Sequence, residues 1–359
     1  FLFPEMRGIA KYSQHGRVTD ETIDLIRMRG NRPFFITAFY SVTHFPFAAP
    51  YPYYRTYSRP DYRGPYRYYK QVVIQMDSGG QTQGSGETDL DREQVIALYD
   101  GCLKLFDVEV GRLFDFLRAD GLLENTIIVI TSDHGENLYD RDYGMGHGEH
   151  LRGYPSLEIP MIIHAPASLM TERGTKNAIC SSIDIMPTIF DIARLPRQEF
   201  FQGRSLVAAS GIGDGRGGNG VDAYSETGLW FDLNKKSPLF FHQKRFEYPD
   251  ITGISELEPG YHEEVVIQQR YQNFTNAAKY RAICSEGYKL IYMPLPEGVR
   301  YELYDQVRDP MNDHDLSRTD KEVLEKMKRR FEDFVVRESN RNFIVKKGYL
   351  FPVFSDPVF

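Results

Sequence analysis

Apolar positions recur along the chain with two periods, and these outline its elements. From Val18 to Met28, Ile23, Leu25 and Ile26 form a helical stripe, with Thr19 or Asp20 as cap and Gly30-Asn31 as stop. Pro33 to Tyr40 is a near-continuous apolar run between a turn and a polar end. That pattern predicts a strand buried on both faces of a parallel sheet. Pro46 to Lys70 has no clean period, and its prolines, tyrosines and arginines read as a long loop, a lid or a partner-contact segment. Gly79 to Gly86 is a glycine-rich loop. The strongest helix signal runs from Asp91 to Ala119, where Val95, Leu98, Leu103, Phe106, Val110 and Leu117 recur mostly at three- and four-residue steps. Ile127 to Thr131 and Ile159 to His164 read as further buried strands. Ser182 to Leu195 reads as a helix with Asp184 and Pro187 in its early turns.

The glycine-rich stretch from Ser210 to Gly220 lacks the lysine and hydroxyl of a phosphate loop and reads as a surface insertion. Beyond it the period changes to two. Ala282 to Cys284, Tyr288 to Tyr292 and Tyr301 to Tyr304 predict antiparallel strands. Asp320 to Glu338 predicts a last helix striped by Leu324, Met327, Phe331 and Val335. The expected organisation is a layered α/β core over residues 1–240 and a smaller C-terminal α+β subdomain over residues 241–359.

Composition narrows the function classes. With 43 basic against 50 acidic residues the formal charge is -7, which argues against a broad nucleic-acid surface but leaves room for a local anion pocket. No run of 18 apolar residues is present, so no membrane span is expected within these residues. Cys102, Cys180 and Cys284 are too few and too scattered for a disulfide framework or a thiolate metal cluster.

The candidate chemistry gathers where the strands end. Ligands of open parallel sheets bind outside the carboxyl ends of the strands. The run Ile127 to Thr131 opens directly into Ser132-Asp133-His134-Gly135-Glu136, so Asp133 and His134 are candidate metal ligands. The second ring nitrogen of His134 should then be held by a carboxylate or carbonyl. His147 and His150 follow in a glycine-rich stretch where the backbone can fold back tightly. His44 ends the earlier run with Ser41 and Thr43. A tetrahedral sulfate or phosphate ester needs positive charge around its oxygens, and a cation with imidazoles supplies it. His44 is the candidate for substrate-oxygen contact or leaving-group protonation, and His147 for substrate or metal contact. His164, His15, His242, His262 and His314 read as structural or surface residues.

Several blocks, in order, resemble the sulfatases of the alkaline phosphatase superfamily. They include Asn125-Thr-Ile-Ile-Val-Ile-Thr-Ser-Asp-His-Gly-Glu136, Pro33-Phe-Phe through His44-Phe-Pro46, and Ile159-Pro-Met-Ile-Ile163. Asp184-Ile-Met-Pro187, Tyr288-Lys-Leu-Ile291 and Glu302-Leu-Tyr-Asp305 follow. The resemblance implies an α/β/α sandwich, incomplete within this chain, with Asp133 and His134 as metal ligands and His44 at the substrate. The implied cofactor is one divalent metal, calcium by the sulfatase analogy, zinc or manganese by the other. His147 departs from the sulfatase pattern, where a lysine commonly lies somewhat further on; its spacing is closer to that of phosphoethanolamine and lipoteichoic acid transferases.

The family's nucleophile lies in a Cys or Ser, x, Pro, x, Arg run that matures to formylglycine, and no such run occurs here. The resemblance thus implies that the N-terminal portion of the same protein, as a separate piece, supplies the nucleophile and early metal ligands. It implies hydrolysis of a small anionic sulfate ester. The alternatives are a phosphate or phosphonate ester hydrolase or transferase, and a non-catalytic binding module. A periplasmic or extracellular location follows from the same resemblance.

Overall fold

In the computed structural model the described residues are 15–70, 75–76, 82–83, 87–141, 144–148, 150–170, 173–176, 178–207, 222–228, 246, 251–261, 263–338 and 343–352. The loops expected at Gly79 to Gly86 and Ser210 to Gly220 therefore fall largely or wholly outside them, as do His242 and His262. The chain divides into two compact units, Phe1–Thr126 and Ile127–Phe359.

The first unit is built on helices. Helix α1 (His15–Met28) starts three residues before the predicted stretch. A short turn α2 (Tyr53–Thr56) and a two-residue ribbon of β1 (Gln75–Met76) with β2 (Thr82–Gln83) precede the long helix α3 (Asp89–Ala119). Thr88 caps α3 by accepting from the Asp91 amide, while the Asp91 carboxylate accepts from the Thr88 amide, so two orphan donors of the first turn are satisfied. Arg112 of α3 joins α1 through Asp20 at 2.5 Å and is held on its own helix by Glu109 at 2.6 Å. Where α2 crosses α3 the helix carries Gly101, and a Cβ there would collide with the Tyr53 carbonyl oxygen.

The run Pro33 to Tyr40 corrects an expectation. It forms no strand, and only one of its sides is covered. Phe34 lies under the Arg29 guanidinium at 5.1 Å, and Tyr40 stacks edge-on against Phe106 and bonds Thr19 at 2.9 Å. On the alternate positions Phe35 and Phe39 are 71% and 69% exposed. Apolar content alone could not tell two covered sides from one, because among the described residues no second strand lies beside this segment.

The second unit is rich in strands. Strand β3 (Ile128–Thr131) leads into the short hairpin of β4 (Asn137–Leu138) and β5 (Met145–Gly146), and then β6 (Met161–His164) returns to β3. The β3–β6 pairing is antiparallel, Ile128 opposite His164 and Thr131 opposite Met161. This corrects the expectation of a parallel sheet: among the described residues every paired strand is antiparallel. The reason is local. The chain turns back between β3 and β6 through a hairpin and a strap of loop, without the helical crossover that parallel neighbours require. Helix α4 (Ile185–Ile192) follows one capped turn, with Pro187 near its start as predicted.

Strand β7 (Ala223–Glu226), helix α5 (Ile251–Ile254), the hairpin of β8 (Ser255–Glu258) with β9 (Glu264–Ile267) and helix α6 (Gln269–Ala278) come next. The predicted hairpin strands are β10 (Arg281–Ser285), β11 (Tyr288–Leu295) and β12 (Gly298–Asp305). With β7 they form one antiparallel sheet in the order β12-β11-β10-β7. The boundary expected near residue 240 therefore runs between β7 and β10, two paired strands. Period-two alternation gives this sheet two covered faces. Ile283, Leu290, Tyr292 and Leu303 pack with Leu324, Met327 and Phe331 of helix α7 (Lys321–Asp333), joined by Phe343 and Leu350 of the hairpin β13 (Phe343–Lys346) and β14 (Tyr349–Pro352). Ala282, Ile291, Met293, Leu295 and Tyr304 face the other way and cover Leu151 and Leu157. The described residues are mixed α/β, with no helix long and apolar enough to cross a membrane.

Replacing Gly101 by Val should destabilise the protein by about 1–3 kcal/mol, because the added side chain meets backbone rather than a mobile side-chain end. A lowered urea midpoint with an unchanged slope is the expected result; an unchanged midpoint would remove the tight α2–α3 crossing as a constraint.

Candidate active site

The loop after β3 folds on its own polar groups. The Asp133 carboxylate accepts from the His134 amide at 3.0 Å, and Ser132 Oγ donates to the His134 carbonyl at 2.9 Å. His134 Nδ1 lies 2.8 Å from the Gly135 carbonyl oxygen. A carbonyl can only accept, so Nδ1 carries a proton, and in the neutral ring Nε2 holds the lone pair. Nε2 lies 3.5 Å from Asp133 Oδ2. The partner expected for the second ring nitrogen is therefore a backbone carbonyl. The Asp133 side chain is 64% exposed and can reach a ligand without desolvation of a buried carboxylate.

The β4–β5 hairpin brings a second imidazole to the first. Gly144, Gly146 and Gly148 all have positive φ, and they let the chain double back within a few residues. The buried Asn137 amide donates to the Gly146 carbonyl at 2.9 Å and lies 3.2 Å from His150 Nε2. The His147 ring then stacks on His134 with centroids 3.6 Å apart and 25° between planes. Its Nδ1 bonds Glu136 Oε2 at 2.9 Å. One ligand atom from each of His134, Glu136 and His147 lies within 4.8 Å of the other two, a spacing open to a metal ion.

The structure thus brings Asp133, His134 and His147 together in the second unit and adds Glu136. Sequence reasoning gave Glu136 no role, although a carboxylate two residues past a histidine in extended chain shares its face. His150 supports the hairpin from inside. His164 sits in β6 opposite Ile128, and His314 is exposed beside Asp309 at 3.8 Å. His44 belongs to the first unit. It is exposed on a turn closed by the Ser41 and His44 carbonyls, with Nδ1 2.7 Å from the Phe45 carbonyl oxygen. The turn is anchored by buried Phe47 against Tyr99 and by the Lys70 amide donating to the Pro46 carbonyl at 2.7 Å.

The Sulfatase family model matches residues 4–195, more than half of the chain. The chain belongs to the sulfatase family. Among its relatives are the multifunctional alkaline phosphatase superfamily protein PehA of Trinickia caryophylli, 28% identical over 219 residues, and an arylsulfatase of Clostridium perfringens, 27% identical over 200 residues. These matches cover 55% and 53% of this chain and 41% and 40% of the relatives, so the chain spans about two fifths of their length. The phosphonate monoester hydrolase of Agrobacterium radiobacter shares the fold with a TM-score of 0.61 at 19% identity, over 96% of this chain and 65% of that one. This sulfatase-family chain therefore has the mixed α/β fold expected of it, while its antiparallel pairs qualify the sheet geometry.

Truncating Asn137 to Ala in this sulfatase-family chain removes the donor to the Gly146 carbonyl inside a buried site. The expected cost is about 1–3 kcal/mol, with faster amide exchange over residues 144–148. Unchanged exchange there would show that the hairpin holds His147 without this side chain.

Proposed function

We propose that this chain carries the metal- and anion-handling part of a divalent-metal-dependent hydrolase that cleaves a sulfate ester. The observation that carries the reading is the convergence of His134 Nε2 and Asp133 Oδ2, with His134 Nδ1 committed to the Gly135 carbonyl. One carboxylate oxygen and one imidazole nitrogen suit a divalent cation, and the Glu136 and His147 donors beside them fit it as well. Calcium is the ion expected from the sulfatase resemblance, with manganese and zinc as alternatives that two imidazoles also suit.

When bound, such a cation supplies positive charge beside the ester oxygens. Asp133 and His134 would hold it. His147, fixed by Glu136, contacts an oxygen of the transferring group. A leaving-group role for His44 rests on the sequence resemblance alone. The nucleophile comes from outside these residues, in keeping with matches that reach only 41% and 40% of the relatives. An N-terminal portion of the same protein is the proposed source, and a periplasmic or extracellular location belongs to the same reading. Phosphate or phosphonate ester hydrolysis is the second reading, favoured by the imidazole pair of His134 and His147.

Assays of the full-length protein on aryl sulfate, aryl phosphate and a phosphonate monoester, each with Ca2+, Mn2+ or Zn2+, test these readings. Fastest turnover of the sulfate supports the first; faster turnover of either phosphorus ester selects the second. Asp133→Ala should lose the bound metal and about 100-fold or more in kcat/KM. His147→Ala should keep part of the metal and lose about 100-fold in kcat. Equal metal content in the wild type and Asp133→Ala contradicts the ligand assignment. A wild type with neither metal nor turnover is a binding module.

A further inference from the structure

One face of the C-terminal sheet carries charges that its apolar surroundings do not ask for. Lys289 of β11 and Glu302 of β12 are each 1% exposed, beside Ile291, Met293 and Tyr304. Burial lowers the Lys289 pKa to about 8, so it remains largely an ammonium at neutral pH. A buried charge costs more than an apolar side chain of similar volume, unless it holds something in place. What these side chains hold is the strap from Leu151 to Leu157.

The contacts are specific. Lys289 Nζ donates to the Gly153 carbonyl at 2.7 Å, and the Gly153 amide donates to Asn312 Oδ1 at 2.9 Å. Both polar backbone groups of one residue are thus taken by side chains from the C-terminal part of the unit. Gly153 has φ of 68°, a conformation that other residues rarely adopt. Next to it, Arg152 makes a two-pronged bond to Glu302, with Nε at 2.7 Å from Oε2. Tyr304 donates to the same Glu302 oxygen at 2.8 Å. Leu151 and Leu157 fill the apolar part of the face.

The other side of the strap meets the candidate site. The Gly135 amide donates to the Ser156 carbonyl at 3.2 Å, and a Cβ on Gly135 would collide with the Pro155 carbonyl oxygen. Gly135 is also the residue whose carbonyl fixes the His134 ring. A second tie comes from the end of β7, where the Gly228 amide donates to the Gly148 carbonyl at 3.0 Å, one residue past His147.

We propose that Lys289 and Asn312 are positioning residues: they clamp Gly153, and the clamped strap sets Gly135 and, through it, the His134 ring. The clamp rests on His134 as the site's central residue, but its test also has an arm independent of metal. In the full-length protein, Lys289→Met should speed amide exchange of the 133–136 segment about 10-fold, while α7 and the β13–β14 hairpin exchange as in the wild type. The Kd for Mn2+ or Ca2+ alone should weaken about 10-fold, the scale of losing an outer support of a metal ligand. Lys289→Arg, which keeps a donor, should restore part of both. Asn312→Ala reports the same effect from the amide side and serves if Lys289→Met does not fold. Unchanged exchange at 133–136 in the folded variant, or loosening spread evenly over the sheet, overturns the clamp. Faster local exchange in a protein that binds no metal keeps the clamp and refutes the metal reading instead.

Discussion

The bond from His134 Nδ1 to the carbonyl of its own neighbour, Gly135, governs the chemistry available to the whole loop. It spends one ring nitrogen on the backbone and directs the basic one toward Asp133. A histidine held this way offers one lone pair in a fixed direction and loses little rotational freedom when it binds a cation. The bond survives only if the Gly135 peptide is itself fixed. That peptide has no room for a side chain and takes its amide partner from Ser156. The β4–β5 hairpin then adds the His147 ring, with Glu136 holding its Nδ1.

Much of the second unit was legible because its sheet alternates strictly and its last helix has a clear stripe. Leu290 and Tyr292 face the helix while Ile291 and Met293 face the strap, so a period of two was visible although both faces are covered. The long helix α3 was equally plain, since its apolar residues repeat over many turns. Where the reading went astray, the deciding information was not local. The runs at 33–40 and 128–131 contain what a buried parallel strand needs, yet nothing in either run says what lies alongside. Composition cannot specify a neighbour. Asp133, His134 and His147 stood out by residue type and spacing. Glu136 did not, because its role depends on a hairpin that returns His147 to it.

Membership of the sulfatase family accounts for the block order and the mixed α/β fold. It does not explain the pair of stacked imidazoles. Two nitrogen donors at 3.6 Å ring separation make a softer environment than a set of carboxylates alone. The chain thus joins a sulfatase framework to a stacked pair of imidazoles beside Glu136.

The half-covered segment from Pro33 to Tyr40 has a colloidal consequence. Phe35 and Phe39 present two large apolar side chains on its uncovered side, a patch that attracts other apolar surface. The net negative charge of the chain keeps copies apart at low ionic strength. Salt screens that repulsion and leaves the attraction between apolar side chains intact, so added electrolyte shifts the balance toward contact at this patch.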